Sequence, residues 1–186
     1  MSDDELEGLK ASGIIAAQFI MTAGDEKYEW DEAERLAWRI NDLGWSVDLH
    51  MDGSDLHEVE QRLSSWPGYI TLRHIGQFSR TKTLKQRGFK ALTRLIDRDK
   101  VWVKLSAPYN SSRTGLIDDP EVMEIASALI NWAPERMIWG TNWPHLEVTE
   151  EPPKDSDLFR IFCNWIPETS RRKMILNENP SILYGF

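Results

Sequence analysis

The chain has 186 residues, with 30 acidic side chains against 22 basic ones and a formal net charge of −8. That length suits one domain, spanning 1–186, with a sizeable core. The acidic balance argues against a binder of nucleic-acid phosphates or of anionic membrane surfaces.

The start, Met1-Ser2-Asp3-Asp4-Glu5, is acidic and unlike a targeting peptide, and no apolar run reaches membrane-spanning length, so the expectation is a soluble cytoplasmic protein. A short helix over 3–11 ends at Gly13. Ile14 to Met21 is a near-continuous apolar run, the pattern of a strand buried on both faces. Trp30, Ala33, Ala37 and Ile40 form one helical stripe that stops near Gly44. Trp45 to Met51 reads as a second strand. Ser54 can cap a helix running through Ser64, with Leu56, Val59 and Leu63 inward and His57 at the surface. A third strand over 69–74 is followed by a helix over 84–98 with Phe89, Leu92, Leu95 and Ile96 inward. Val101 to Leu105 is a fourth strand. Asp118 or Asp119 caps the next helix, whose first turn takes Pro120 and whose inward side carries Val122, Ile125, Ala126, Leu129 and Ile130. Arg136 to Trp139 is a fifth strand. The segment Glu150-Glu151-Pro152-Pro153-Lys154 is a loop before closing helices over 157–165 and 170–176. The lone cysteine, Cys163, excludes an internal disulfide and a cysteine-based zinc site. Beside Phe162 and Trp165 it reads as a buried thiol. Arg171-Arg172-Lys173 reads as a solvated helix face.

Strands separated by helices predict βαβ units and a parallel sheet. Five such units are too few to close an eight-stranded barrel, so the sheet is open or the chain is the C-terminal part of a barrel. Polar residues cluster where strands end, the rim on which parallel α/β folds carry their sites. Three of the four histidines lie there: His50, His74 and His145. Imidazoles converging on one rim suit acid–base work, carbonyl polarisation or metal ligation. Lys104 sits within an apolar strand and needs a carboxylate or a solvated cavity. Gln18, another polar residue in an apolar strand, points to the same cavity, and Tyr109 and Asn110 follow the fourth strand as ligand contacts. Of nine tryptophans, Trp143 is the one beside the rim. No phosphate-binding loop, nucleophile elbow or dinucleotide fingerprint occurs.

Gly140-Thr141-Asn142-Trp143-Pro144-His145 resembles the Gly-(Ser/Thr)-Asp-Trp-Pro-His signature of the amidohydrolase-related, metal-dependent hydrolase TIM barrels. Arg73-His74-Ile75-Gly76 resembles that family's Asp-His-hydrophobic-Gly step. Val103-Lys104-Leu105-Ser106-Ala107-Pro108-Tyr109 resembles its strand-seven segment, and Asn179-Pro180-Ser181-Ile182-Leu183-Tyr184-Gly185-Phe186 its closing Asn-Pro-x-x-Leu-Tyr-Gly-Phe. The nearest branch is the 2-pyrone-4,6-dicarboxylate lactonase-like group. The resemblance implies that the five strands are barrel strands four to eight, and that the family's His-x-His strand and about three βα units are absent before Met1. It also shows departures. Asn142 replaces the family aspartate, Gln77 an arginine after the strand-six histidine, Asn110 (with Arg113 nearby) an arginine after strand seven, and Gln18 a carboxylate-binding arginine.

The resemblance implies a hydrolase of a small lactone or related cyclic ester. His50 and His74 then polarise the carbonyl and hold either a divalent metal such as zinc or, as in the lactonase-like group, none. Asn142 and His145 complete the catalytic set, and Gln18, Gln77, Lys104, Tyr109, Asn110 and Trp143 contact substrate. Asn142 can orient a water but cannot take its proton. The alternative is a catalytically inactive or truncated barrel that binds a small molecule, or a homo-oligomer or partner chain that covers the open sheet. A third reading is an independently folded α/β domain.

Overall fold

The computed structural model describes residues 2–22, 24, 29–79, 82–148 and 151–186; Met1 and Glu150 of the segments above lie outside them. Five strands, β1 (Ala16–Ile20), β2 (Ser46–His50), β3 (Ile70–Leu72), β4 (Val101–Leu105) and β5 (Met137–Trp139), form one parallel sheet in the order of the sequence. Strand order never reverses, unlike that of a doubly wound sheet, so each βα unit steps in the same direction as in a barrel wall. Helices α1 (Asp3–Ala11), α2 (Trp30–Asn41), α3 (Leu56–Ser65), α4 (Arg87–Asp97), α5 (Pro108–Ser111), α6 (Pro120–Trp132), α7 (Asp155–Trp165), α8 (Thr169–Lys173) and α9 (Asn179–Tyr184) follow. No helix among the described residues is long and apolar enough to cross a membrane.

Local chemistry sets the boundaries. Helix α1 begins in a capping box, in which the Ser2 hydroxyl accepts from the Glu5 amide at 3.3 Å and Glu5 Oε2 accepts from the Ser2 amide at 2.6 Å. Asp119 is the cap of α6, accepting from the Glu121 amide at 2.9 Å, with Pro120 in the first turn. The expected Ser54 cap is not one. Asp52 accepts from the Ser54 amide at 2.8 Å and opens a 3-10 turn, Gly53–Asp55, that leads into α3. Packing dictates that turn, because a Cβ on Gly53 would overlap the Gly76 carbonyl and one on Gly88 the Gly53 carbonyl. The loops after β2 and β3 are thereby locked together at the strand ends. His57 is half-buried rather than on the surface, its Nδ1 3.1 Å from the Ser54 carbonyl. Cys163 is half-buried against the core.

One sheet face is packed under the helices. Phe19, Val47, Leu49, Ile70, Leu72, Val101, Val103, Leu105 and Met137 share a core with helical Ala37, Ile40, Leu63, Leu92, Leu95, Ile125 and Leu129. The other face carries a row Gln18–Asp48–Thr71–Trp102 in register, then Lys104 beside Ile138. The expectation that the first strand is buried on both faces therefore fails. Gln18 is exposed, as are Ile14 and Ile15 before it, because among the described residues no helix covers that side of β1.

Cover on the inner face comes only at the far end. Helix α8 continues through a π-helical turn, Met174–Glu178, into α9, which the sequence reading left out. Leu183 packs on Trp102 and Ile138. Buried Asn179 donates from Nδ2 to the carbonyls of Pro134 at 2.8 Å and Met137 at 2.6 Å, tying α9 to β5. Asn179→Ala orphans both carbonyls and is expected to cost about 2 kcal/mol of unfolding free energy. A urea-melt midpoint unchanged from the parent would refute that tie.

Candidate active site

Strained backbone marks the rim. Among the described residues, eight non-glycine residues have positive φ, and six of them, His74, Ile75, Gln77, Ala107, Asn142 and His145, lie in the loops after β3, β4 and β5. Left-handed conformations at such residues cost free energy and persist where the surroundings over-determine them, which is commonest at functional sites. Strand β3 stops at Leu72 because His74 to Gln77 all turn left-handed. That turn swings His74 inward, where it is fully buried, and its carbonyl accepts from the Ser111 hydroxyl of α5.

His50 and His74 meet edge to face, with ring centroids 5.1 Å apart. His50 Nε2 hydrogen-bonds Gln77 Oε1. His74 Nδ1 lies 3.2 Å from Ser106 Oγ, and its buried Nε2 has no partner. With Ser106 donating, Nε2 carries the hydrogen. Burial, then the charges of Arg73, His50 and Lys104, push the His74 pKa down to about 2. Burial also lowers that of His50, although the bond to Gln77 opposes it. Both rings are neutral hydrogen-bonding groups at ordinary pH.

His145 does not join that pair. It belongs to a second arm, linked to the first through Asn142. Arg73 Nη2 donates to Asn142 Oδ1 at 3.0 Å. Asn142 Nδ2 donates to Tyr109 Oη at 3.0 Å and to Glu147 Oε2 at 3.1 Å. Tyr109 Oη lies 2.7 Å from His145 Nδ1, and His145 Nε2 lies 3.4 Å from Asp155 Oδ1. The donor inventory orients this chain in one direction, since an Asn142 amide hydrogen occupies Tyr109 Oη and leaves its proton for His145. His145 then donates to Asp155. Burial raises the Tyr109 pKa, so the phenol stays protonated.

The remaining predicted residues divide. Lys104 is ion-paired with Asp48 Oδ2 at 3.0 Å, which is the carboxylate its strand position demanded. Tyr109 and Asn142 belong to the second arm, and Trp143 follows Asn142 and is 76% exposed. Gln77 and Asn110 line a neighbouring cavity of roughly 610 Å³ together with Asp52 and Arg113. Gln18 sits on the same face as Asp48 but away from both arms. Sequence reasoning missed Arg73, Ser106, Glu147 and Asp155. The only signal for Arg73 was that it occupies the aspartate position of the Asp-His step.

The donors present do not suit a metal ion. Among the described residues no group of three or more His, Cys, Asp or Glu side chains is placed to hold one. His50 Nε2 is taken by Gln77, and the cations Arg73 and Lys104 flank His74.

An amidohydrolase family model matches residues 4–186. The chain is 31% identical over 185 residues to a 4-sulfomuconolactone hydrolase of Hydrogenophaga intermedia, covering 97% of this chain and 61% of the relative. It is 28% identical over 194 residues to a 2-pyrone-4,6-dicarboxylate hydrolase of Comamonas testosteroni, covering 99% and 63%. It thus spans a little over three fifths of the length of these relatives. The crystal structure of Agrobacterium tumefaciens ATU3138 superposes with a TM-score of 0.85 at 30% identity, over 100% of this chain and 66% of that one.

Proposed function

This chain belongs to the amidohydrolase family, and on that premise we propose that it hydrolyses a small lactone, its five strands standing for strands four to eight of the family barrel. The observation that carries the reading is the hydrogen-bonded line from Arg73 through Asn142 and Tyr109 to His145 and Asp155, beside two neutral imidazoles. Ring opening needs a donor for the developing oxyanion, an acceptor for a proton of the attacking water, and return of that proton to the leaving alkoxide. His74 Nε2, buried and unpartnered, is a preorganised donor for the oxyanion, and His50 supports it. Asn142 holds the water and fixes Tyr109. The water's proton passes to Tyr109 Oη as the phenol proton passes to His145, and Asp155 steadies the resulting imidazolium. Reversal of that path protonates the alkoxide.

The test is loss of ultraviolet absorbance of 2-pyrone and muconolactone substrates with the purified chain, alongside Tyr109→Phe. Severing the line is expected to lower kcat by about 10²-fold, the lower range for acid–base catalysis. No turnover by the parent chain sinks the hydrolase reading, and full activity in Tyr109→Phe sinks the proton path.

A second reading is a binding module completed by another chain or a second copy. It is favoured, among the described residues, by the uncovered face of β1, by the unpaired edges of β1 and β5, and by Trp143 and Leu146, 76% and 84% exposed at the rim. Light scattering with thermal unfolding separates the two. A cooperative monomer without ligand or partner argues against this second reading.

A further inference from the structure

We propose that Arg73 and Lys104 form a subsite for a single carboxylate, so that the preferred ligand is a lactone acid with one negative charge. This deepens the hydrolase reading and rests on it for the identity of the ring. Lys104 Nζ lies 3.0 Å and Arg73 Nε 3.9 Å from the same Asp48 Oδ2, and the three side chains are only 14–22% exposed. Among the described residues, Asp48 is the only carboxylate paired with either cation. Two cations against one anion leave a net charge of about +1 in a poorly solvated place, which is costly unless a further anion arrives.

Unspent hydrogen-bonding capacity points the same way. Arg73 Nε and His74 Nε2 are buried donors without a hydrogen-bond partner. Buried polar atoms are paired in the great majority of cases, so a cluster of orphans is a place waiting for a polar ligand. Arg73 opens onto a cavity of roughly 400 Å³, lined also by Lys104, Ser106, Asn142, Trp143 and Tyr184. Its volume is near the lower end for small-molecule sites and suits one ring. Glu147, held on Asn142, sets a negative charge behind that lining residue. Gln18, Gln77 and Asn110 offer no charge to a second carboxylate. The charge count therefore favours a monoanion over a dianion.

The probe pair is coumalate, a 2-pyrone bearing one carboxylate, and methyl coumalate, the same ring with that charge removed. In isothermal titration calorimetry coumalate is expected to bind at least about tenfold more tightly than the ester, the size of one charge-assisted hydrogen bond. Arg73→Gln abolishes the difference. Asp48→Asn, which removes the competing anion, enlarges it, whereas a purely structural cluster predicts weaker binding in both variants. Circular dichroism verifies that each variant is folded, and Lys104→Met replaces Arg73→Gln if the latter is not. Equal binding of acid and ester, or binding of neither, overturns the subsite. Lactone turnover with acid and ester bound alike leaves the hydrolase reading standing without the subsite. Coumalate bound selectively, with no lactone in the panel turned over, leaves the subsite standing without the hydrolase.

Discussion

Asn142→Asp combined with Glu147→Gln is expected to raise lactone turnover by about 10²–10⁴-fold, the range a positioned general base contributes. The three hydrogen bonds of Asn142 decide why two changes are needed. The bond from Arg73 Nη2 survives in an aspartate and becomes charge-assisted. The bond to Tyr109 Oη survives if the phenol turns to donate. The bond to Glu147 Oε2, now 3.1 Å from the amide nitrogen, becomes a contact between two carboxylates. Like charges at that separation share a proton, which removes the base the substitution was meant to supply.

The single variant Asn142→Asp is therefore expected to gain less than the double one, and Glu147→Gln alone to gain nothing. The measurement is kcat against pH for the parent and the three variants. A new acidic limb in the double variant reports the introduced carboxylate. If all four chains turn over alike, residue 142 does not stand over the reacting carbonyl and the assignment of the rim fails. A gain would also fit the proposed proton path, which needs two transfers, through Tyr109 and His145, where a carboxylate needs one.

The sequence reading found what local chemistry announces. Apolar strands bounded by helical stripes gave five parallel strands in order. Histidines after those strands marked the rim, and Lys104 in an apolar strand demanded a carboxylate. What it could not see is set by distance along the chain. Asp48 meets Lys104 across the intervening strand β3, 56 residues earlier. Asp155 reaches His145 from the first turn of α7, beyond a loop whose path no periodicity encodes. The three histidines looked equivalent as strand-end residues. They divide because the left-handed turn at His74 to Gln77 carries His74 against His50, while the positive φ at Asn142 and His145 turns the last loop toward Tyr109. Apolarity misled at β1, where a strand rich in Ala, Phe and Ile has a face that none of the described residues buries.

Acid is expected to unfold the parent chain well before it unfolds His74→Gln. Burial first, then the neighbouring cations, hold the His74 imidazole at a pKa of about 2, against about 6.5 for an unfolded histidine. Between those values the unfolded chain binds a proton that the folded chain refuses, so stability falls as pH falls. The contribution is intact above about pH 6.5 and drains toward pH 2; by pH 4 the loss is about 3 kcal/mol. His50, also lowered by burial, adds in the same direction, and carboxylates contribute their own acid losses. Both are common to the two chains, which is why the comparison is with His74→Gln, whose amide cannot titrate. Unfolding free energies from urea melts at pH 7, 5.5 and 4 are expected to show the parent's curve falling more steeply, the difference between the chains changing by about 3 kcal/mol over that range. Parallel curves would mean that His74 is protonated in the folded state, and the neutral donor assigned to its Nε2 would have to be abandoned. Steeper loss in the parent ties the two properties together: the burial that keeps His74 a neutral donor for the oxyanion is the same burial that makes the fold acid-labile.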